Sequence, residues 1–478
     1  MVIYFRTVES CMKPNVCTVV IDAARASNLS CYGHSRNTTP NIDAVAEEGT
    51  VFQRAVSPAA TTMDSVSSFF SGLYPGEHRS GSSGLLSVDE PTLPELFKRE
   101  GYQTGAVTTN PFLTPGFGFE RGIDEFHSIE HRYDQGMNIR EFFNKVRGRS
   151  APEIYLRFLI EALDRNFLKH VGNALQFRFD LFTRDDQGGA QATDRAIQFA
   201  SKQVDPWFLY LHYTETHMKD VKHLYKIPDD FRYQYASKRE ANSIETTSHT
   251  DQGISEEAQG IHERIYDGAL NYTDFYIGTL VERLKRTGQW ENTLFIVTAD
   301  HGECLGEHGY VGHGAVYEPG VHVPLIVKTP RNMPEIEVDM RKRVNTLGLF
   351  NALARLIGSD QAHGSVQDIF TAPEDSVLVQ DYSDAWDWSS YSVENSAGQH
   401  AHYLNEVKLI RRGTEYTLYD LQNDPDEQEP ISPESDQMET HRRLLDQRIE
   451  EFPDHHRAAD ALEVNTGTAK RLEDLGYI

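Results

Sequence analysis

The chain has little cysteine, little lysine and no long uninterrupted apolar run. Its four cysteines, Cys11, Cys17, Cys31 and Cys304, are too few to frame 478 residues with disulfides. No pair of them has zinc-ligand spacing with neighbouring histidines, so they are expected to be reduced, mostly buried thiols. Nothing approaches the roughly 18 apolar residues that a transmembrane helix needs, so no membrane span is expected. The N-terminus, MVIYFRTVESCMKPNVC, carries one early arginine, no extended apolar core and an acid at Glu9. That makes a poor secretory signal and points to the cytoplasm.

Positive charge is also short. Lys and Arg total 46 against 72 Asp and Glu, a net charge of −26. Nucleic acid is not an expected partner, because its affinity rests on basic contacts to phosphate. Only 14 of the basic residues are lysines and 32 are arginines. An acidic, lysine-poor composition suits concentrated salt, where the Debye length falls to about 3 Å at 1 M and self-repulsion is screened. A halophilic protein is expected, with an ordinary acidic protein as the plainer alternative.

What is present is globular. Hydrophobic residues make up 39% and aromatics 10%, and the length suits one large domain with a smaller one, or two domains. CTVVID (17–22) and TLFIVTAD (293–300) are short apolar runs that each end in an acid. Buried parallel strands read this way, and in open α/β sheets ligands gather beyond the carboxyl ends of the strands. PWFLYLHY (206–213) and VPLIVKT (323–329) supply further strands. PNIDAVAEEGTVF (40–52), TLPELFKREGY (92–102) and the run from about 257 to 287 read as amphipathic helices. The alternation predicts an α/β fold with a doubly wound, mostly parallel sheet flanked by helices. The expected boundaries are a large α/β domain over 1–370, with a helical insertion at 130–200, and a small antiparallel sheet with a terminal helix over 371–478. Residues 236–258 are polar and read as a loop.

The stretch SPAATTMDSVSSFFSGLYPGEH (57–78) is rich in small and hydroxyl residues ahead of a turn. It has the texture of a segment presenting a nucleophile, with Thr61, Thr62 and Ser65 as candidates.

VVIDAARASNLSCYGHSRNTTPNIDAVAEEGTVF, SGLYPGEH, GYQTGAV, FLYLHYTETH, NTLFIVTADHGECLGEHGYVGHGAVYEPGVHVPLIV and EYTLYDLQNDPDEQ follow one another along the chain. Together they resemble the sulfatase family of the alkaline phosphatase superfamily, from about residue 17 to 430. The resemblance implies that Asp22, Asp300 and His301 hold a divalent metal, with the nucleophile's oxygen completing the set. It departs from the family at two ligands: Ala23 stands where a second Asp is usual, and His301 where Asn is. Fewer oxygen donors favour Mn, Mg or Zn over Ca. A second ion would want an acid four residues before His217, where Tyr213 stands, so one metal is expected.

Sulfatases carry Cys or Ser in Cys/Ser-X-Pro-Ser-Arg and convert it to formylglycine. Counting back from Gly72 puts Thr62 at that position, followed by Met63, Asp64, Ser65 and Val66. The modification signal is absent and Thr is the wrong substrate for it, so no formylglycine is expected. Thr62 would then act as a metal-activated alkoxide at a helix start, Thr61 being the neighbouring register. The resemblance also places His217 and His313 at the substrate anion or leaving group, with Arg25 and Asn110 as possible substrate contacts. Arg25 could as easily pair with a nearby acid. His212 reads as strand packing. Three functions remain open: a hydrolase of phosphate or sulfate esters, phosphate favoured; a transferase moving a phosphate-bearing group to a sugar or lipid; and an inactive, metal-stabilised binding protein. An anionic ester is the expected partner, and the oligomeric state is open.

Overall fold

The computed structural model describes residues 13–129, 157–158, 171, 186–204, 206–218, 225–246, 254–334, 336, 338–361, 368–370, 376–382, 398–450 and 452. Its frame is a seven-stranded sheet. In chain order the strands are β1 (Asn15–Ile21), β2 (Thr50–Val51), β3 (Gln103–Thr108), β4 (Glu125–Ser128), β5 (Trp207–Tyr213), β6 (Thr293–Thr298) and β7 (Leu325–Lys328). Across the sheet they run β2-β7-β6-β1-β5-β3-β4. The pairs β6-β1, β1-β5, β5-β3 and β3-β4 are parallel, and β7 is antiparallel to both its neighbours.

β1 and β5 are buried along their whole length, which is why their sequences are continuous apolar runs rather than alternating ones. Val19, Ile21, Leu209, Leu211, Ile296 and Val297 are fully shielded from water. Each contributes about 1.5–3 kcal/mol relative to an exposed side chain. The register matters more for function. Thr108 pairs with His212, His212 with Val20, and Val20 with Thr298, so four strands end level. Asp22, Asn110, Thr214 and Asp300 therefore emerge together at one edge.

Helices cover both faces. α1 (Pro40–Glu47) starts with proline, α2 (Thr62–Ser71) ends at Gly72 in the left-handed region, and α3 (Leu93–Arg99) opens with a Thr92/Glu95 capping box. α4 (Gly189–Lys202) packs against β5. α5 (Lys238–Thr246) lies inside the segment read as a loop. Ala241 and Ile244 explain the difference: they bury against Ile265 and Tyr266 of the long helix α6 (Glu256–Arg286), and that tertiary packing outweighs a polar composition. Ser255 caps α6 by accepting the Ala258 amide. Most of the helical insertion read at 130–200, including EIYLRFLIEALDRNFLKHV, lies outside the described residues.

Beyond the main sheet, β8 (Ser376–Asp381), β9 (Gln399–Leu404), β10 (Val407–Arg412) and β11 (Glu415–Asp420) form an antiparallel sheet in sequence order. β9 and β10 are joined by a turn at Asn405 with φ 56°, a conformation asparagine tolerates. α7 (Asp436–Glu450) packs on this sheet through Met438 and Leu445. Cys17, Cys31 and Cys304 are free thiols, and Cys17 and Cys304 are buried. Among the described residues no helix is long and apolar enough to cross a membrane.

Candidate active site

β1 delivers Asp22 and β6 delivers Asp300 and His301 to the same edge, and all three are buried. Their ligand atoms lie within 4.8 Å of one another. His301 Nε2 is 3.5 Å from Asp22 Oδ1 and 3.7 Å from Asp300 Oδ2.

Each carboxylate has one oxygen fixed by the protein and one left over. Asp300 Oδ1 accepts the backbone amides of Ala23 at 3.2 Å and His301 at 3.0 Å, while Oδ2 is buried with no hydrogen-bond partner. Asp22 Oδ2 accepts from Asn110 Nδ2 at 2.7 Å, while Oδ1 is likewise unpartnered. The His301 Nδ1–H donates to Gly302 O at 2.8 Å, which leaves Nε2 as the acceptor. Two orphaned carboxylate oxygens facing an imidazole nitrogen that meets the Thr62 hydroxyl fit a divalent cation. Burial opposes ionisation of Asp22, but His217, the His212 hydrogen bond and His301 outweigh it and hold the carboxyl well below the usual range.

The backbone here is shaped to purpose. Ala23 has φ 61°, a left-handed conformation unusual for alanine. It is held by the Tyr266 hydroxyl, which donates to Ala23 O and accepts from the Arg25 amide, both at 2.9 Å. Gly302 is required because a Cβ there would collide with the Pro319 carbonyl.

Thr62 is the first residue of α2 and Thr61 takes the N-cap position. The Thr62 hydroxyl donates to His301 Nε2 at 3.1 Å, which brings it to the carboxylates and to the positive end of the helix. Ser65 is turned away, its hydroxyl donating to Ala59 O at 3.1 Å. His313 stacks on His301, with ring centroids 5.0 Å apart and planes 19° off parallel, and His217 leans on His313 at 4.7 Å. His217 Nδ1–H donates to Met218 O at 2.8 Å, which leaves its Nε2 as an acceptor. Burial pushes the His313 imidazole well below its ordinary value, with His217 and His301 adding to the effect.

Two expected contacts sit differently. Asn110 bonds the carboxylate of Asp22. Arg25 Nη1 pairs with Glu307 at 2.8 Å; that was the alternative the sequence left open. Two groups had no role in the sequence reading. His212 packs on its strand as expected, but its Nε2 also reaches Asp22 Oδ2 at 3.2 Å. Its position, one residue before the end of a strand aimed at the site, was the available signal. Glu303, two residues past His301, is fully buried, and burial pushes its carboxyl up to about 8, with His301 opposing and Asp22 adding.

The chain is similar in sequence and fold to known proteins. The arylsulfatase of Clostridium perfringens is 25% identical over 87% of this chain and 89% of its own. The N-acetylglucosamine-6-O-sulfatase of Bacteroides thetaiotaomicron is 24% identical over 96% of this chain and 89% of its own. Among solved structures, the phosphonate monoester hydrolase of Agrobacterium radiobacter superposes with a TM-score of 0.64 at 18% identity, covering 91% of this chain and 95% of that one. Residues 306–454 match the C-terminal region described as N-sulphoglucosamine sulphohydrolase. The sulfatase family profile matches residues 14–369, about three quarters of the sequence, and this chain belongs to the sulfatase family.

Proposed function

We propose that the chain hydrolyses an anionic ester at one divalent metal, with Thr62 as the nucleophile and phosphate the first ester to test. The observation that carries this is the Thr62 hydroxyl 3.1 Å from His301 Nε2, beside the unpartnered oxygens of Asp22 and Asp300. Asp22, Asp300 and His301 would hold the ion, and Mn, Mg or Zn suits the mixed imidazole and carboxylate set better than Ca. A divalent ion there supplies Lewis-acid charge that makes a nearby hydroxyl easier to ionise.

The chain's own residues do the rest. α2 fixes Thr62 at its N-terminus, where the helix dipole favours both an alkoxide and the anionic group it attacks. Thr62 Oγ gives its proton to His217 Nε2 and bonds to the phosphorus or sulfur as the bond to the ester oxygen breaks. The departing oxygen takes that proton back from His217, while His313, packed against His217, faces the transferred group. Water then attacks the same centre, releases the inorganic anion and restores the threonine hydroxyl. Thr62 serves as encoded, without conversion to formylglycine, because the residues after it, Met63 to Val66, depart from the modification pattern.

Relatives support both ester classes: the curated ones bear sulfatase names, and the Agrobacterium neighbour is named a phosphonate monoester hydrolase. Nitrophenyl sulfate, nitrophenyl phosphate and bis-nitrophenyl phosphate, each assayed with Mn, Mg, Zn and Ca in high salt, decide between them. Turnover of a phosphorus ester with Mn, Mg or Zn is expected. Sulfate turnover with Ca alone would overturn the ester and metal choice. Thr62→Ala should lower turnover by about 10⁴-fold or more while circular dichroism stays unchanged. Retained turnover in that variant removes Thr62 from the role.

A further inference from the structure

His212 is a buried imidazole that the proposed chemistry leaves without a task. It lies on β5, fully shielded from water. Its Nε2 stands 3.2 Å from Asp22 Oδ2 and 3.8 Å from Asp300 Oδ2, and its Nδ1 stands 2.9 Å from the Tyr210 hydroxyl. A carboxylate oxygen can only accept, so the contact to Asp22 puts a proton on Nε2. A neutral ring then has a bare Nδ1, and the Tyr210 O–H is the donor that fills it. Tyr210 is in turn braced by α2, its ring edge-on to Phe70 at 5.0 Å and tilted against Phe69 at 5.7 Å.

Asp22 Oδ2 thus receives two N–H groups from side chains, His212 Nε2 and Asn110 Nδ2. Asp22 Oδ1 receives none and faces His301 Nε2 at 3.5 Å. Asp300 reaches the same half-satisfied state differently, through the backbone amides of Ala23 and His301. Only the Asp22 half of the site is therefore set by side chains.

We propose that Tyr210, His212 and Asn110 orient the cation site: His212 and Asn110 clamp Asp22 Oδ2 so that Oδ1 alone faces a divalent ion, and Tyr210 fixes the His212 tautomer. His212 is a positioning residue here, neither a ligand nor a group that touches substrate. The proposal rests on the metal site of the proposed function.

Mn²⁺ binding to the full chain, followed by the electron paramagnetic resonance signal of the free ion, tests it without any substrate. His212→Phe keeps the ring but loses the donor, and should weaken Mn²⁺ binding about 10- to 100-fold. His212→Gln places an N–H at similar reach and should recover most of the affinity. Tyr210→Phe should fall between them. The melting temperature of each metal-free variant reads the packing contribution separately. Wild-type affinity in His212→Phe, or His212→Gln as weak as His212→Phe, overturns the proposal. Should His212→Phe not fold, Tyr210→Phe with unchanged affinity does so. A wild-type chain that takes up no Mn²⁺, and no Mg²⁺, Zn²⁺ or Ca²⁺ in calorimetry, defeats the metal reading itself and this proposal with it. Altered expectations in the variants alone defeat only this one.

Discussion

Two buried charge clusters in this protein are built on opposite plans. Under the small sheet, Lys408 is fully buried between Glu427 at 2.7 Å and Glu318 at 3.1 Å. Glu318 also accepts from the Tyr403 hydroxyl at 2.6 Å and pairs with Arg343 at 3.4 Å. Burial works against ionised Glu318, and Lys408 and Arg343 still hold its carboxyl well below the usual range. Every charge there finds its partner within the chain. At the edge of the large sheet, Asp22 and Asp300 are as deeply buried, yet each keeps an oxygen without a partner. The first cluster is closed and holds the fold together. The second is open, and an open buried carboxylate is costly unless something arrives to complete it.

The comparison can be broken most forcefully at Lys408. Lys408→Met leaves two carboxylates facing each other in a dry interface and should cost about 3–5 kcal/mol of stability. Denaturant unfolding measures this, and Mn²⁺ affinity should not change. A loss of metal binding without a loss of stability would reverse the roles of the two clusters.

The open cluster should respond to metal instead. Adding a divalent ion at about 100 times its dissociation constant should stabilise the protein by about 2.7 kcal/mol. Asp300→Ala should abolish that gain in thermal melts, and chelation should remove it from the wild type. An equal gain in Asp300→Ala would place the ion elsewhere.

The smallest effect concerns pH. His402, in β9, donates or accepts at Ser376 Oγ at 2.8 Å, and burial pushes its imidazole down to about 4, with His441 and Arg448 adding to the shift. Its folded value lies below its unfolded one, so the unfolded chain binds the extra proton. Stability is therefore full above about pH 6.5 and falls as the pH drops towards 4. The loss should be on the order of 1–3 kcal/mol, and His402→Gln should flatten that part of the melting-temperature profile. A slope unchanged in the variant would assign the acid sensitivity to other groups.

Much of the fold was legible because its central strands are buried on both faces, and continuous apolar runs such as TLFIVT have few other homes. Asp22 and Asp300 were legible for the same reason: an acid ending such a run sits at a sheet edge. α5 was not, since its hold is a pair of apolar residues, Ala241 and Ile244, that matter only once α6 is in place. The reach of Asn110 and His212 to Asp22 was hidden too. Both depend on the register of β3 and β5 against β1, which no local pattern in those segments reveals. Arg25 shows the limit from the other side, because nothing in IDAARAS says that Glu307, far along the chain, will be the residue beside it.

The left-handed backbone at Ala23 has one more consequence, for how easily this centre could be retuned. Aspartate, asparagine and glycine accept that conformation more readily than alanine. The backbone at this position therefore suits an aspartate better than the alanine it carries. Ala23→Asp should be less stable than the parent without metal, since it adds a third buried carboxylate, and should regain that stability with an ion bound, moving the preference from Mn²⁺ towards Ca²⁺ in a competition titration. The backbone at this position accommodates a harder, more oxygen-rich site, leaving a change of metal preference a single codon away.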